Sequence, residues 1–373
     1  MRSKLYYLLA ICAIVFSVTY IIVRSRPLAN YQPSTTYNLN LKSSIISSAF
    51  VGTNAWVWSG IDSGLYTSVN GGDTWRKLNV PEFNDTTHIS FINSQDGWAV
   101  SNKDIRNATV FRTSDGGNTW CAIGELGQIT HNYPISAIQQ IAFSDQNNGW
   151  ILEPYVIWQT ENGGKTWRPH EKTATIRGNN ELYVSLHQVT KSIWLFGGNK
   201  QMLYSDDGST LGQQVNTPII PHFLSFADEN FGWLAGIQFE YNGELYKTND
   251  KGKNWELLLR LDKFTLIRGL YLQNVNEGWL AVTKLVPRDN NPPPIDLDDW
   301  QFNNFLMHTT DGGITWQKIE FDSNPTLRVL PYGRLTCSDP SYCWLETNTK
   351  FFFTSNGGKT WKNVLIAPLH LPM

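Results

Sequence analysis

Charge is scarce in this chain: only 17% of its 373 residues are Asp, Glu, Lys or Arg. The net charge is -2 and the pI is near 6.4, so there is no basic excess of the kind that nucleic-acid binding requires, and no DNA- or RNA-binding motif occurs. Cysteine is nearly absent, with four copies. The seven histidines, at 88, 131, 170, 187, 222, 308 and 370, lack metal-ligand spacing, and no cofactor motif is found. No Ser-His-Asp arrangement stands out. The Gly-Gly pairs lead into strands instead of helices, which excludes a phosphate loop. Beyond Val23 there is no amphipathic helical pattern. What the chain has instead is aromatic and turn-forming: 16 Trp, 29 Gly and 13% aromatic residues, the composition of an ordered β protein.

The N-terminus departs from that pattern. Arg2 and Lys4 precede an uncharged run from Leu5 to Val23, closed by Arg24 and Arg26. As a helix this run would be about 28 Å long, matching a bilayer core. The stretch after it, Arg24-Ser25-Arg26-Pro27-Leu28-Ala29, lacks a small-x-small cleavage site, which favours a retained anchor over a cleaved signal peptide. Cys12 lies inside the run after Ile11, unlike a lipoprotein cysteine. Basic residues flank both ends, so they do not orient the segment. The organisation read from this is an anchor over 1–26, a linker over 27–42 and a β domain over 43–373. Thr36–Leu41 is a candidate extra edge strand.

Cys337 and Cys343 bracket Ser-Asp-Pro-Ser-Tyr, which reads as a turn between two strands. Hairpin neighbours come within disulfide range, so a Cys337–Cys343 bridge is expected, with the domain on the periplasmic or extracellular side. Two reduced core cysteines are the competing reading. Cys121 is left over and is expected to be buried.

One eight-residue unit recurs seven times. Complete copies include Ser68–Trp75 (SVNGGDTW), Thr113–Trp120 (TSDGGNTW) and Thr160–Trp167 (TENGGKTW). An Asp or Asn stands third in every copy: Asn70, Asp115, Asn162, Asp206, Asp250, Asp311 and Asn356. Gly follows two residues later, and Trp closes every copy except the fourth, where Leu211 stands. The closing residues are spaced by 45, 47, 44, 44, 61 and 45 positions. Gly permits the positive φ of a tight turn, Asp or Asn accepts the turn's own N–H groups, β-branched Thr restarts a strand, and Trp offers an apolar plate between repeats. Before each unit runs a short strand, a turn and a Trp-bearing strand, as in Ile89–Phe91 with Gly97–Val100, or Leu270–Leu272 with Gly278–Ala281. Trp56, Trp194 and Trp344 hold the matching place elsewhere. Four short strands per repeat, seven times, predict an all-β, seven-bladed propeller of four-stranded antiparallel blades behind an N-terminal transmembrane helix.

These units resemble the Asp box, or bacterial neuraminidase repeat, of sialidases, sortilin-type receptors and xyloglucan-cleaving glycosidases. Paired with Asp-x-x-x-Gly-Trp strands, best seen in Asp228–Gly236, they look closest to the photosystem II stability/assembly-factor propellers and their bacterial relatives. The likeness covers roughly residues 43–367. It implies an extracytoplasmic binding or assembly role, with extracytoplasmic or membrane proteins as partners, and leaves carbohydrate as an alternative ligand.

Catalysis is the weaker reading. Turn residues needed seven times serve the fold, and Asn70, Asn162 and Asn356 cannot act as acids. A sialidase would need clustered arginines and an Arg-Ile-Pro segment, and no Arg-Ile-Pro occurs. A glycosidase needs two opposed carboxylates. The candidates are Glu153, Glu229, Glu240 and Glu277; Glu153 is expected at a loop surface, and Glu229 and Glu277 read as solvated turn acids. A non-catalytic scaffold is therefore expected, with a glycoside hydrolase as the alternative. Binding is placed on three long connections between second and third strands, Ser101–Ala108, Gly236–Glu244 and Lys284–Asn304, which share one face. The last carries Pro292-Pro293-Pro294 and explains the 61-residue step. The candidate binding residues are Arg288, Asp298, Asp299 and Trp300, with Arg106 and Tyr241 nearby.

Overall fold

The computed structural model describes residues 45–364 apart from 60–62, 82, 85–86, 103–106, 127–137, 154–155, 170–182, 190–191, 198–199, 206–212, 238–241, 288–299, 320–333, 339–340 and 347–350. The apolar run 5–23 and the segment Thr36–Leu41 lie outside the described residues. Among the described residues no helix is long and apolar enough to cross a membrane.

The chain folds into seven four-stranded antiparallel sheets, each an uninterrupted meander of consecutive strands. The first strands are Ile45–Val51, His88–Phe91, Gln140–Phe143, Tyr183–Val189, Pro221–Phe226, Thr265–Leu272 and Arg334–Cys337 in blades 1 to 7. Each touches the first strand of the next blade, and that of blade 7 returns to touch that of blade 1. The first strands thus line the inside of a closed ring, the layout of a seven-bladed propeller. Blade 4 forms although its repeat ends in Leu211.

The core is a set of seams between blades. The second-strand tryptophans Trp56, Trp98, Trp150, Trp233, Trp279 and Trp344 are almost wholly buried, whereas the box tryptophans are half-buried. Trp56 stacks on Phe91 of the next blade at 3.8 Å and Trp98 on Phe143 at 3.9 Å. Their indole N–H groups donate to Gly116 O and Gly163 O in the next blade's box. Innermost serines add polar ties: Ser47, Ser90 and Ser225 accept the amides of Ile89, Phe143 and Leu272 one blade on.

Two expectations need correction. The Cys121 thiol is exposed, because Cys121 opens an outer strand whose first residues face solvent. The long connections are also shorter than read, since their ends continue the ladders: Asn102 pairs with Ala108, Ile237 with Gly243 and Pro287 with Trp300. In blade 6 the second and third strands, Gly278–Pro287 and Trp300–Thr309, run ten residues each. Cys337 and Cys343 are directly paired residues in blade 7 with Cα atoms 4.0 Å apart, joined by a disulfide.

Candidate docking face

A meander blade has two ends. The turn between strands one and two shares one end with the box turn. The connection between strands two and three shares the other with the inter-blade linker. The box end is chemically occupied. In the second box Thr113 Oγ1 accepts Gly117 N and donates to Asp115 Oδ1, which also accepts Thr119 N at 2.9 Å. The Thr119 hydroxyl donates to Asp115 Oδ2 at 2.6 Å. Those bonds from Thr119, side chain first, hold the Asp115 carboxyl down to about 2, and bonds from Thr315 do the same for Asp311. In the Asn copies the amide reverses the last bond, with Asn70 Nδ2 donating to Thr74 Oγ1. Asn70, Asp115, Asn162, Asp250, Asp311 and Asn356 are all spent inside their own turns. Asp206 lies outside the described residues. The opening hydroxyl is the hub of each described box turn, and its signal in the sequence is Ser or Thr at the first position of six copies.

The neighbouring turn is equally committed. Asn93, Asp145, Asp228 and Asn274 each accept the amides two and three residues on. This explains the Asp of the Asp-x-x-x-Gly-Trp element as a turn residue. Glu229 and Glu277 belong to these turns, and Glu277 bonds His308 Nε2 at 3.1 Å. Glu153 sits at the opposite end of its blade and is buried, not at a loop surface. It accepts a bond from Trp158 Nε1 at 2.9 Å, and burial raises its carboxyl to about 7. Glu240 lies outside the described residues. The described candidate acids therefore divide between opposite faces of the disc.

The other end carries the blade 6 hairpin. Its base is braced from both sides: Leu285 N donates to Phe264 O at 2.8 Å, and Thr283 Oγ1 to Asn304 Oδ1 at 2.8 Å. Phe264, in the linker from blade 5, takes a φ of 62°, a costly conformation for a bulky residue. A parallel bridge joins Asn242 to Thr265, tying the blade 5 connection to the same linker. Arg106, Tyr241, Arg288, Asp298 and Asp299 lie outside the described residues, and Trp300 is described only as the first residue of its strand. Two residues that sequence reasoning missed lie in the ring's inner strands. His222 and Arg268 occupy register shifts in the first strands of blades 5 and 6, toward the hairpin end. Burial, then the charge of Arg268, pushes His222 down to about 4. Arg268 was legible only as a lone cation in an apolar strand. Among the described residues no group of three or more His, Cys, Asp or Glu is placed to hold a metal.

Seven meander blades closed in a ring, with six described boxes that are self-contained turns, define an Asp-box repeat propeller. Comparison with known proteins agrees. The family model for photosynthesis system II assembly factor YCF48 matches residues 67–190, and that for the BNR/Asp-box repeat matches 307–318. The photosystem II assembly lipoprotein Ycf48 of Prochlorococcus marinus (strain MIT 9313) is 24% identical over 305 residues, spanning 68% of this chain and 87% of the relative. A structure of YCF48 bound to D1 peptide covers 89% of this chain and 97% of its own, at 17% identity and a TM-score of 0.56. YCF48 from Cyanidioschyzon merolae covers 86% and 95%, at 15% identity and 0.56. The GH74 xyloglucanase from Xanthomonas campestris shares the fold at 13% identity and 0.59, over 86% of this chain but 54% of the enzyme. The chain is a BNR-repeat propeller close to the photosystem II assembly-factor family.

Proposed function

We propose that this protein is a membrane-tethered, extracytoplasmic propeller that binds a segment of another protein and serves its assembly without catalysing a reaction. The observation that carries this is the end-to-end likeness to a propeller solved with a bound peptide, which matches 97% of that chain. The docking surface is the hairpin end, with Arg288, Asp298, Asp299 and Trp300 from blade 6 and Arg106 and Tyr241 from blades 2 and 5. The blade 6 ladder extends as far as the Pro287–Trp300 pair and gives the connection between them a paired base. Residues 5–23 supply the tether and raise the local concentration of membrane partners. The lipoprotein relative supports membrane attachment, although by a different kind of anchor.

A glycoside hydrolase is the second reading, favoured by the xyloglucanase fold match. The division of Glu153 from Glu229 and Glu277 between opposite ends speaks against it. Replacing 288–299 by Asn-Gly joins Pro287 to Trp300, already a cross-strand pair, through a two-residue turn. Crosslinking followed by mass spectrometry is expected to show loss of the partners captured by the unaltered protein, with no change in melting temperature. Capture that survives the replacement would overturn the hairpin as the docking surface.

A further inference from the structure

In five blades the pair that closes the first hairpin is filled in one of three ways. Blades 2, 3 and 5 set Phe over Gly: Phe91 pairs with Gly97, Phe143 with Gly149 and Phe226 with Gly232. The ring lies against the glycine and leaves no room for a Cβ. It also meets the box tryptophan of its own blade, at 6.0 Å for Phe91–Trp120 and Phe143–Trp167 and 6.4 Å for Phe226–Trp255. Blade 6 has Leu272 opposite Gly278. With no ring in the way, Trp233 of blade 5 moves in over Gly278 and lies 5.7 Å from the box tryptophan Trp316. Blade 7 has Cys337 opposite Cys343, joined by the disulfide. Here Trp279 of blade 6 moves in over the box glycine Gly358, 6.1 Å from Trp361. The disulfide therefore stands where other blades place an apolar plug.

Its blade is the one that most needs a tie. Blade 7 is the last, its strands are only three or four residues long, and it meets blade 1 through side chains such as Phe50 against Trp344. Terminal units with few contacts open at lower free energy than the rest of a fold. The bridge is linked to both seams of this blade. Cys343 is paired with Thr354 on its other side, and Thr354 Oγ1 accepts the amide of Gly358, the glycine beneath Trp279. Trp344, next to Cys343, donates to Gly52 O of blade 1. Cys343 is 0% exposed and Cys337 7%. Two thiols in this packed interior must turn apart once the bond between them is cut, and they bury less apolar area than Phe or Leu. The burial also protects the bridge, because an attacking thiolate reaches it only when blade 7 opens.

We infer that the Cys337–Cys343 bridge is a redox latch on ring closure: oxidised, it holds blade 7 in place; reduced, blade 7 parts locally from blades 6 and 1 while the other blades stay folded. Setting the latch removes two electrons and two protons from the thiol pair and forms one S–S bond. The disulfide of an extracytoplasmic dithiol oxidoreductase accepts them and becomes a dithiol. The test compares full-length protein in detergent, oxidised and after dithiothreitol reduction in mild urea, with urea then removed and reductant kept. Alkylation of an aliquot at both positions confirms reduction. Amide hydrogen exchange is read by mass spectrometry. Peptides from 334–346 and 351–364 are expected to exchange about thirtyfold faster in the reduced protein, with little change in 88–126 and 140–160. Cys337→Leu with Cys343→Gly installs the blade 6 arrangement, and its blade 7 exchange is expected to ignore the reductant. Equal blade 7 rates in the two states would overturn the latch. So would acceleration spread evenly over all blades, or the same response to reductant in the Leu–Gly variant. If that variant does not fold, the two states of the unaltered protein decide the matter.

Discussion

The residue just before each box's opening hydroxyl shows how one position accepts different chemistry. It lies over the second-strand tryptophan of its own blade in three forms. Arg112 sits 5.1 Å above Trp98 and pairs with Asp96; His308 stacks on Trp279 at 3.7 Å and bonds Glu277; Phe353 packs on Trp344 at 4.7 Å and stacks with Tyr342. A cation, an imidazole and a benzene ring all cover an indole face. At the same scale Glu153 makes a pH prediction. Its carboxyl titrates at about 7 in the fold against an ordinary 4.5. The folded state thus holds a proton that the unfolded chain releases. The stability this group contributes is complete below the unfolded value and is lost as pH rises through 7. Glu153→Gln keeps an acceptor for Trp158 and cannot ionise. It should match the unaltered protein near pH 4 and exceed it at pH 8 by on the order of 3 kcal/mol, measured by urea unfolding at both pH values. Identical pH profiles for the two proteins would refute a buried neutral carboxyl.

Elements were legible in the sequence where local chemistry sets them. The recurrence of Gly, Thr and Trp located all seven blades, because each turn is built by its own eight residues. Element ends were less legible: Lys284 and Asn304 read as loop, yet a ladder extends well past the core whenever two facing segments stay in register. The exposed Cys121 was misread for a related reason, since an outer strand buries little and a cysteine there has no core to enter. The blade 7 disulfide belongs to this scale. It closes a short loop, and the chain-entropy estimate for its size is about 2 kcal/mol. Reduction, or Cys337→Ser with Cys343→Ser, should lower the melting temperature and the denaturation free energy by about that amount. An unchanged midpoint would mean that the cross-strand ladder alone holds the hairpin.

The whole molecule depends on its last seam, where blade 7 meets blade 1 without an exchanged strand among the described residues. Phe50 stacks on Trp344 at 4.9 Å, Trp344 Nε1 donates to Gly52 O at 3.2 Å, Ser48 bonds Glu346 and Lys362 pairs with Asp73. The second glycine of the first box completes it. A Cβ on Gly72 would lie 2.4 Å from Val364 Cγ1, and its φ is +82°. Gly72→Ala should cost at least about 2 kcal/mol. Adding Val364→Ala should return part of that loss, measured as a double-mutant cycle in guanidinium. Strictly additive effects would show that the two blades do not meet there.

The sequence by itself determined the number of blades, their four strands and the turn that ends each one, because those features arise from interactions within about ten residues. It also marked the Cys337–Cys343 hairpin and the long blade 6 insertion. Only the tertiary structure decided which faces of those turns are spent. The second glycines yield to a side chain of the preceding blade, and second-strand tryptophans cap the following blade's box. Each of these depends on residues that meet only when neighbouring sheets close into a ring, and no local pattern records which side chain will arrive.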